Sequence, residues 1–186
     1  YIRVIVFSLF ILALTYFYLI NQDARNPLNK AVADTSIILI SASMLLTSLC
    51  YFWDFIDTKI IYRKHLGIIG FVYAAIHILL SSSGLLSLFK LETWLKGTYW
   101  PLFTGLIAFV IFSVMALISN KYATTKLGGI GWRNILRTGY IGVAIVWLHV
   151  FLLKCVRIVS WYSDGMKTAP PTSLIVLVFM AVVIIM

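Results

Sequence analysis

Two histidines lie deep inside two long apolar stretches, His77 within residues 66–89 and His149 within residues 137–159. A neutral imidazole offers one nitrogen lone pair, and two of them on opposite sides of an iron complete the axial coordination of a haem. An ionisable side chain inside lipid is costly and marks a functional site by default. The surroundings pair the two residues. Arg63 and Lys64 precede His77 by fourteen and thirteen residues, and Arg137 precedes His149 by twelve. Measured from the starts of their segments, the rings lie about 16 Å and about 18 Å along, at a helical rise of about 1.5 Å per residue. Both rings therefore fall a little past the midplane, at nearly equal depth, if the two segments run the same way. One haem b held between His77 and His149 is the chemistry this pattern points to, with one-electron transfer as its use.

Competing uses of these residues carry less. A single membrane histidine often serves as a polar contact between helices, but matched depth favours ligation. A proton relay needs carboxylates within the apolar stretches. Asp23, Asp34, Asp54, Asp57, Glu92 and Asp164 all fall in expected loops or at segment ends. His65 lies twelve residues before His77, which turns the two side chains about 120° apart on a helix. It reads as an interfacial residue.

The elements that must position the histidines follow from composition. Of the 186 residues, 62% are hydrophobic, and the mean hydropathy is +1.01. A soluble chain of this size has no way to cover that much apolar surface. Six apolar segments are expected, at 1–20, 35–52, 66–89, 100–119, 137–159 and 172–186. Lipid-exposed spans close their own backbone hydrogen bonds, so the segments are helices. The expected fold is an all-α integral membrane protein, a six-transmembrane-helix bundle with the haem between the third and fifth helices, forming one domain over residues 1–186. The first segment has no charged, apolar and small-residue cleavage pattern and reads as a retained helix.

The breaks carry turn and cap chemistry. Asn26 and Pro27 follow the first helix, Asp34 and Thr35 form an N-cap for the second, and Ser81 to Gly84 soften the end of the third. Pro101 suits the first turn of the fourth, the glycines at 128, 129 and 131 form a loop before the fifth, and Pro170 and Pro171 open the sixth. Cys50 and Cys155 end segments on opposite faces, so no disulfide joins them. The net charge of +9 is scattered over short loops, as in membrane proteins, and excludes a nucleic-acid stripe. Eight cations on the face of the 2–3 and 4–5 loops against seven on the other leave orientation undecided.

The run from Arg63, Lys64, His65, Leu66 and Gly67 to His77 resembles the third-helix signature of the ferric-reductase-like transmembrane superfamily. It is most similar to the STEAP metalloreductases and to the haem subunit of the bacterial periplasmic methionine sulfoxide reductase system. Trp132, Arg133, Arg137, Tyr140 and the Leu148-His149 pair resemble the fifth-helix signature, and the resemblance covers residue 62 to the C-terminus. NADPH-oxidase relatives carry a second histidine on each of these helices. Those positions are Arg63 and Leu136 here, so the resemblance implies one haem, near the outer face. It also implies cytoplasmic 2–3 and 4–5 loops and a cytoplasmic N-terminus. It further implies a flavin (FAD or FMN) where the inner haem would be, at an entrance lined by Arg63, Lys64, Trp132, Arg133 and Arg137.

The function expected from these readings is a b-type membrane cytochrome. It relays electrons from a cytoplasmic-side flavin or reductase to an outer-face acceptor, a metal chelate or a partner protein, with Lys90, Lys96, Lys154 and Arg157 drawing anions. The membrane is a bacterial inner membrane or a eukaryotic plasma membrane or endomembrane. The alternative is a structural or assembly subunit of a larger membrane complex with a vestigial or secondary haem site, and the partners expected include further copies in a homo-oligomer or the subunits of a larger complex. No strand followed by a glycine-rich nucleotide loop occurs, so a nicotinamide-binding domain is not expected here.

Overall fold

The protein is described by a computed structural model covering residues 2–22, 24, 26–82, 86, 89–90, 92 and 99–186. Among the described residues six α-helices follow in order: α1 Ile2–Ile20, α2 Pro27–Phe52, α3 Ile61–Leu80, α4 Tyr99–Ile118, α5 Lys121–Ser163 and α6 Thr172–Ile185, with a 3-10 turn at Asp54–Lys59. No strand occurs among the described residues. Five helices, α1 to α5, are long and apolar enough to cross a membrane. The sixth has fourteen residues, about 21 Å at about 1.5 Å per residue, short of a hydrocarbon core of about 30 Å.

α2 is the spine. It packs on α3 above all, and also on α1 and α6, while α4 packs on α5. The reason lies in three small polar residues seven apart, Asn29, Ser36 and Ser43. Ser36 Oγ donates to the Gly70 carbonyl at 2.9 Å and Ser43 Oγ to the Arg63 carbonyl at 2.8 Å. Asn29 Nδ2 donates to Ser81 Oγ at 2.8 Å. Seven-residue spacing keeps one face of a helix toward its neighbour, and interhelical hydrogen bonds in lipid each contribute about 0.6 kcal/mol. The apolar core lies elsewhere, where Met44 of α2, Phe112 and Met115 of α4, Val143 of α5 and Met180 of α6 meet.

Three boundaries depart from expectation. α2 starts at Pro27, not residue 35. Asn26, in the left-handed region at φ 55°, turns the chain, and Pro27 takes the first helical position, where its missing N–H costs nothing. Asp34 is thus not a cap: it lies two turns inside α2. α3 ends at Leu80 rather than residue 89; the expected softening at Ser83 and Gly84 falls outside the described residues, as do Asp23, Arg25 and Lys96. The glycines at 128, 129 and 131 do not form a loop of their own: Gly128 alone, with φ 69° and ψ 160°, breaks the 43 residues of α5 into two helical stretches, and Gly129 and Gly131 belong to the second. The conformation at Gly128 is essentially reserved for glycine. Asn120 caps the start of α5, its Oδ1 accepting from the Ala123 N–H at 2.8 Å.

Candidate functional site

His77 and His149 line one cavity of about 430 Å³, within the range of small-ligand pockets. α3 and α5 make at most marginal contact with each other, so the rings approach across this space. Both are partly buried. The walls are mainly apolar, including Ile37, Ile40, Phe109, Phe112, Val146 and Met180.

Each ring is held through the same atom. The Nδ1 hydrogen of His77 goes to Asn29 Oδ1 at 2.7 Å, and that amide is oriented in turn by Ser81. The Nδ1 hydrogen of His149 goes to the Pro101 carbonyl. A carbonyl oxygen only accepts, so the proton sits on Nδ1 in both rings and Nε2 keeps its lone pair. This is the arrangement that orients metal-ligating histidines. Among the described residues, Nε2 of neither ring has a hydrogen-bond partner.

Gly105 of α4 makes the second ring's position possible. A Cβ there would stand 2.8 Å from Cε1 and 2.9 Å from Nδ1 of His149, closer than van der Waals contact allows. Among the described residues no three His, Cys, Asp or Glu side chains cluster as a metal site. A bare ion commonly takes three or four protein ligands; an iron already held by four porphyrin nitrogens needs two. The donor set therefore fits a haem better than a free ion.

A second cavity of about 440 Å³ lies toward the opposite ends of the same helices. Arg63, Lys64 and Trp132 line it together, with Lys121, Thr124 and Thr125 from the first turns of α5. Leu136 lines it too, so Arg63 and Leu136 share one space. Arg133 and Arg137 are exposed and are not among its lining residues. Trp132 is fixed by its indole N–H, which donates to the Ile118 carbonyl at 3.0 Å. The wall between the cavities is aromatic. Phe112 and Ile40 border both, and Phe71 of the second stacks on Phe109 of the first, with centroids 5.3 Å apart and planes 18° apart.

His65 takes no part, its Nδ1–H donating to the Ile61 carbonyl at 3.0 Å. Both cysteines are free thiols. Two residues escaped the sequence reading. Asn29 lay before the expected start of the second helix. Asp34, assigned to a helix end, instead lines the histidine cavity beside Lys30 and Lys154, which corrects the expectation that every carboxylate lies outside the apolar segments. The seven-residue polar spacing on α2 was the available signal for the longer helix.

Compared with known proteins, the chain matches no family model and no curated sequence.

Proposed function

We propose that the chain is a b-type membrane cytochrome of the ferric-reductase-like kind, relaying electrons across the bilayer to an acceptor at the outer face. The observation that carries this reading is the pair of imidazoles from α3 and α5, lining one cavity with both Nδ1 hydrogens taken by the protein. A haem bound there supplies a one-electron iron couple. His77 and His149 would hold the haem through Nε2, the nitrogen left without a hydrogen-bond partner among the described residues in each ring, and with both rings engaged the group would serve as an electron relay rather than bind a substrate. Asn29 and Pro101 hold the rings in the ligating tautomer. The exposed residues Asn26 and Arg157 border the outer mouth of the cavity.

On the cytoplasmic side the Trp132 cavity suits a flavin. Arg63, Lys64 and Lys121 match a phosphate, and the aromatic walls match a flat ring. Phe71, Phe109 and Phe112 then separate donor from relay by side chains alone. α6 completes the six-helix bundle in this reading, with the N-terminus cytoplasmic.

Optical spectra of the purified full chain, oxidised and then dithionite-reduced, test the proposal. A Soret band with sharpened α and β bands on reduction is expected, at one haem per chain. The His77→Ala/His149→Ala variant should lose it entirely. Wild-type protein without a Soret band, or a double variant with full haem content, defeats the reading.

A further inference from the structure

Asp34 is a carboxylic side chain inside a candidate membrane span. One of its oxygens, Oδ2, is buried and has no hydrogen-bond partner among the described residues. Thr172 at the start of α6, Lys154 of α5 and Lys30 of α2 line the histidine cavity with it. A buried carboxylate with an unsatisfied oxygen carries a desolvation cost that a proton relieves. Asp34 is not part of the ligand support. It lies five residues after Asn29, about 140° further round α2, on the side facing α5 and α6. It nonetheless borders the cavity that holds both histidines. Lys154, Asp34, His77 and His149 line that one cavity together. Other polar groups near this end are Arg157 of α5, at the mouth, and Tyr18 of α1, whose hydroxyl donates to the Pro170 carbonyl at 2.7 Å.

From this geometry we propose that Asp34 is a redox-linked proton acceptor, so that electron entry into the histidine cavity carries a proton with it. The inference rests on the haem reading above. Each electron that a haem held by His77 and His149 accepted from the donor would leave the cavity with one positive charge fewer. The Asp34 carboxylate then takes one proton from water at the Asn26 and Arg157 mouth, forming an O–H bond on its unpartnered oxygen. Oxidation by the acceptor returns the proton to the same side. The coupling keeps the charge of the low-dielectric cavity constant through the cycle, where an uncompensated charge would be expensive.

The test is a spectroscopic redox titration of the full chain in lipid nanodiscs between pH 5.5 and 8.5. The haem midpoint of the wild type should fall with pH toward the tenfold-per-unit limit, about 59 mV per pH unit for one electron. Asp34→Asn should keep the Soret band and lose most of that slope, and Asp34→Glu should retain it. A flat wild-type midpoint overturns the proposal. So does an unchanged slope in Asp34→Asn, which places the proton on another group such as a haem propionate. Should Asp34→Asn not fold, reduced-minus-oxidised infrared spectra of wild type and Asp34→Glu decide. A carboxylic C=O band that shifts between the two supports the proposal, and none in either overturns it. Absence of any Soret band in the wild type is a different result, because it removes the haem itself.

Discussion

The two cavities lie in series between the same helices, yet they hold their polar groups in different ways. In the histidine cavity direction is what has been built. Each ring is tied by one nitrogen, a glycine makes room for one of them, and an acid sits among the cations. In the Trp132 cavity the charges are of one sign, Arg63, Lys64 and Lys121, with no acid among its lining residues. The hydroxyl and amide groups there come from Ser43 of α2, from Ser119 and Asn120 just before α5, and from Thr124 and Thr125 in its first turns. The contrast separates two kinds of recognition. Coordination needs a lone pair aimed within a narrow angle, whereas an anionic, flat ligand needs positive potential and aromatic area.

That contrast can be broken from either side. Gly105→Leu should have the largest effect, because its Cβ falls within 3 Å of the His149 ring, which is pinned to backbone and cannot simply retreat. Nearly complete loss of the Soret band at unchanged expression is expected, measured as haem per chain. Asn29→Leu removes the acceptor for His77 and should weaken haem retention by roughly tenfold to a hundredfold, the usual cost of a lost supporting partner. Transfer of haem to apomyoglobin reads this directly. Arg63→Gln should leave the Soret band and its reduction by dithionite intact, while binding of reduced flavin mononucleotide falls about tenfold, as for one lost charged hydrogen bond. Equal damage to both cavities by Arg63→Gln would erase the distinction. Gly128→Ala should be mildest for chemistry, costing about 1–3 kcal/mol of stability through its backbone angles, with a lower thermal midpoint and unchanged haem content. Nothing stands within 4 Å of the Cβ it would add, so the cost is conformational rather than steric.

Much of the helical plan was legible because apolar length is a strong signal: α1, α4 and α6 begin within one residue of expectation. The histidines were legible because few ionisable residues interrupt those runs. What failed was polar sequence within helices. Asn29, Lys30 and Asp34 look like a loop by composition, but α2 continues through them: Asn29 bonds Ser81 and His77 at α3, and Lys30 and Asp34 line the cavity shared with α5 and α6. The glycines at 128, 129 and 131 look like a loop for the same reason, yet only the first leaves helical dihedrals. Arg133 and Arg137 share a helix with Trp132 but not its face, and a spacing argument anchored on the resemblance did not separate them.

The rungs on α2 have one more implication. A strict repeat of seven drifts by about 20° per heptad on a straight helix of 3.6 residues per turn, so the three rungs stay within about 40° of one another on one face of α2. Inserting or deleting a single residue between Ser36 and Asn29 would swing the amide about 100° away from the imidazole, with every other side chain unchanged. The aim of the His77 Nε2 lone pair is therefore stored as a residue count along a neighbouring helix, and a one-codon indel there should misdirect it more thoroughly than many substitutions at the cavity walls.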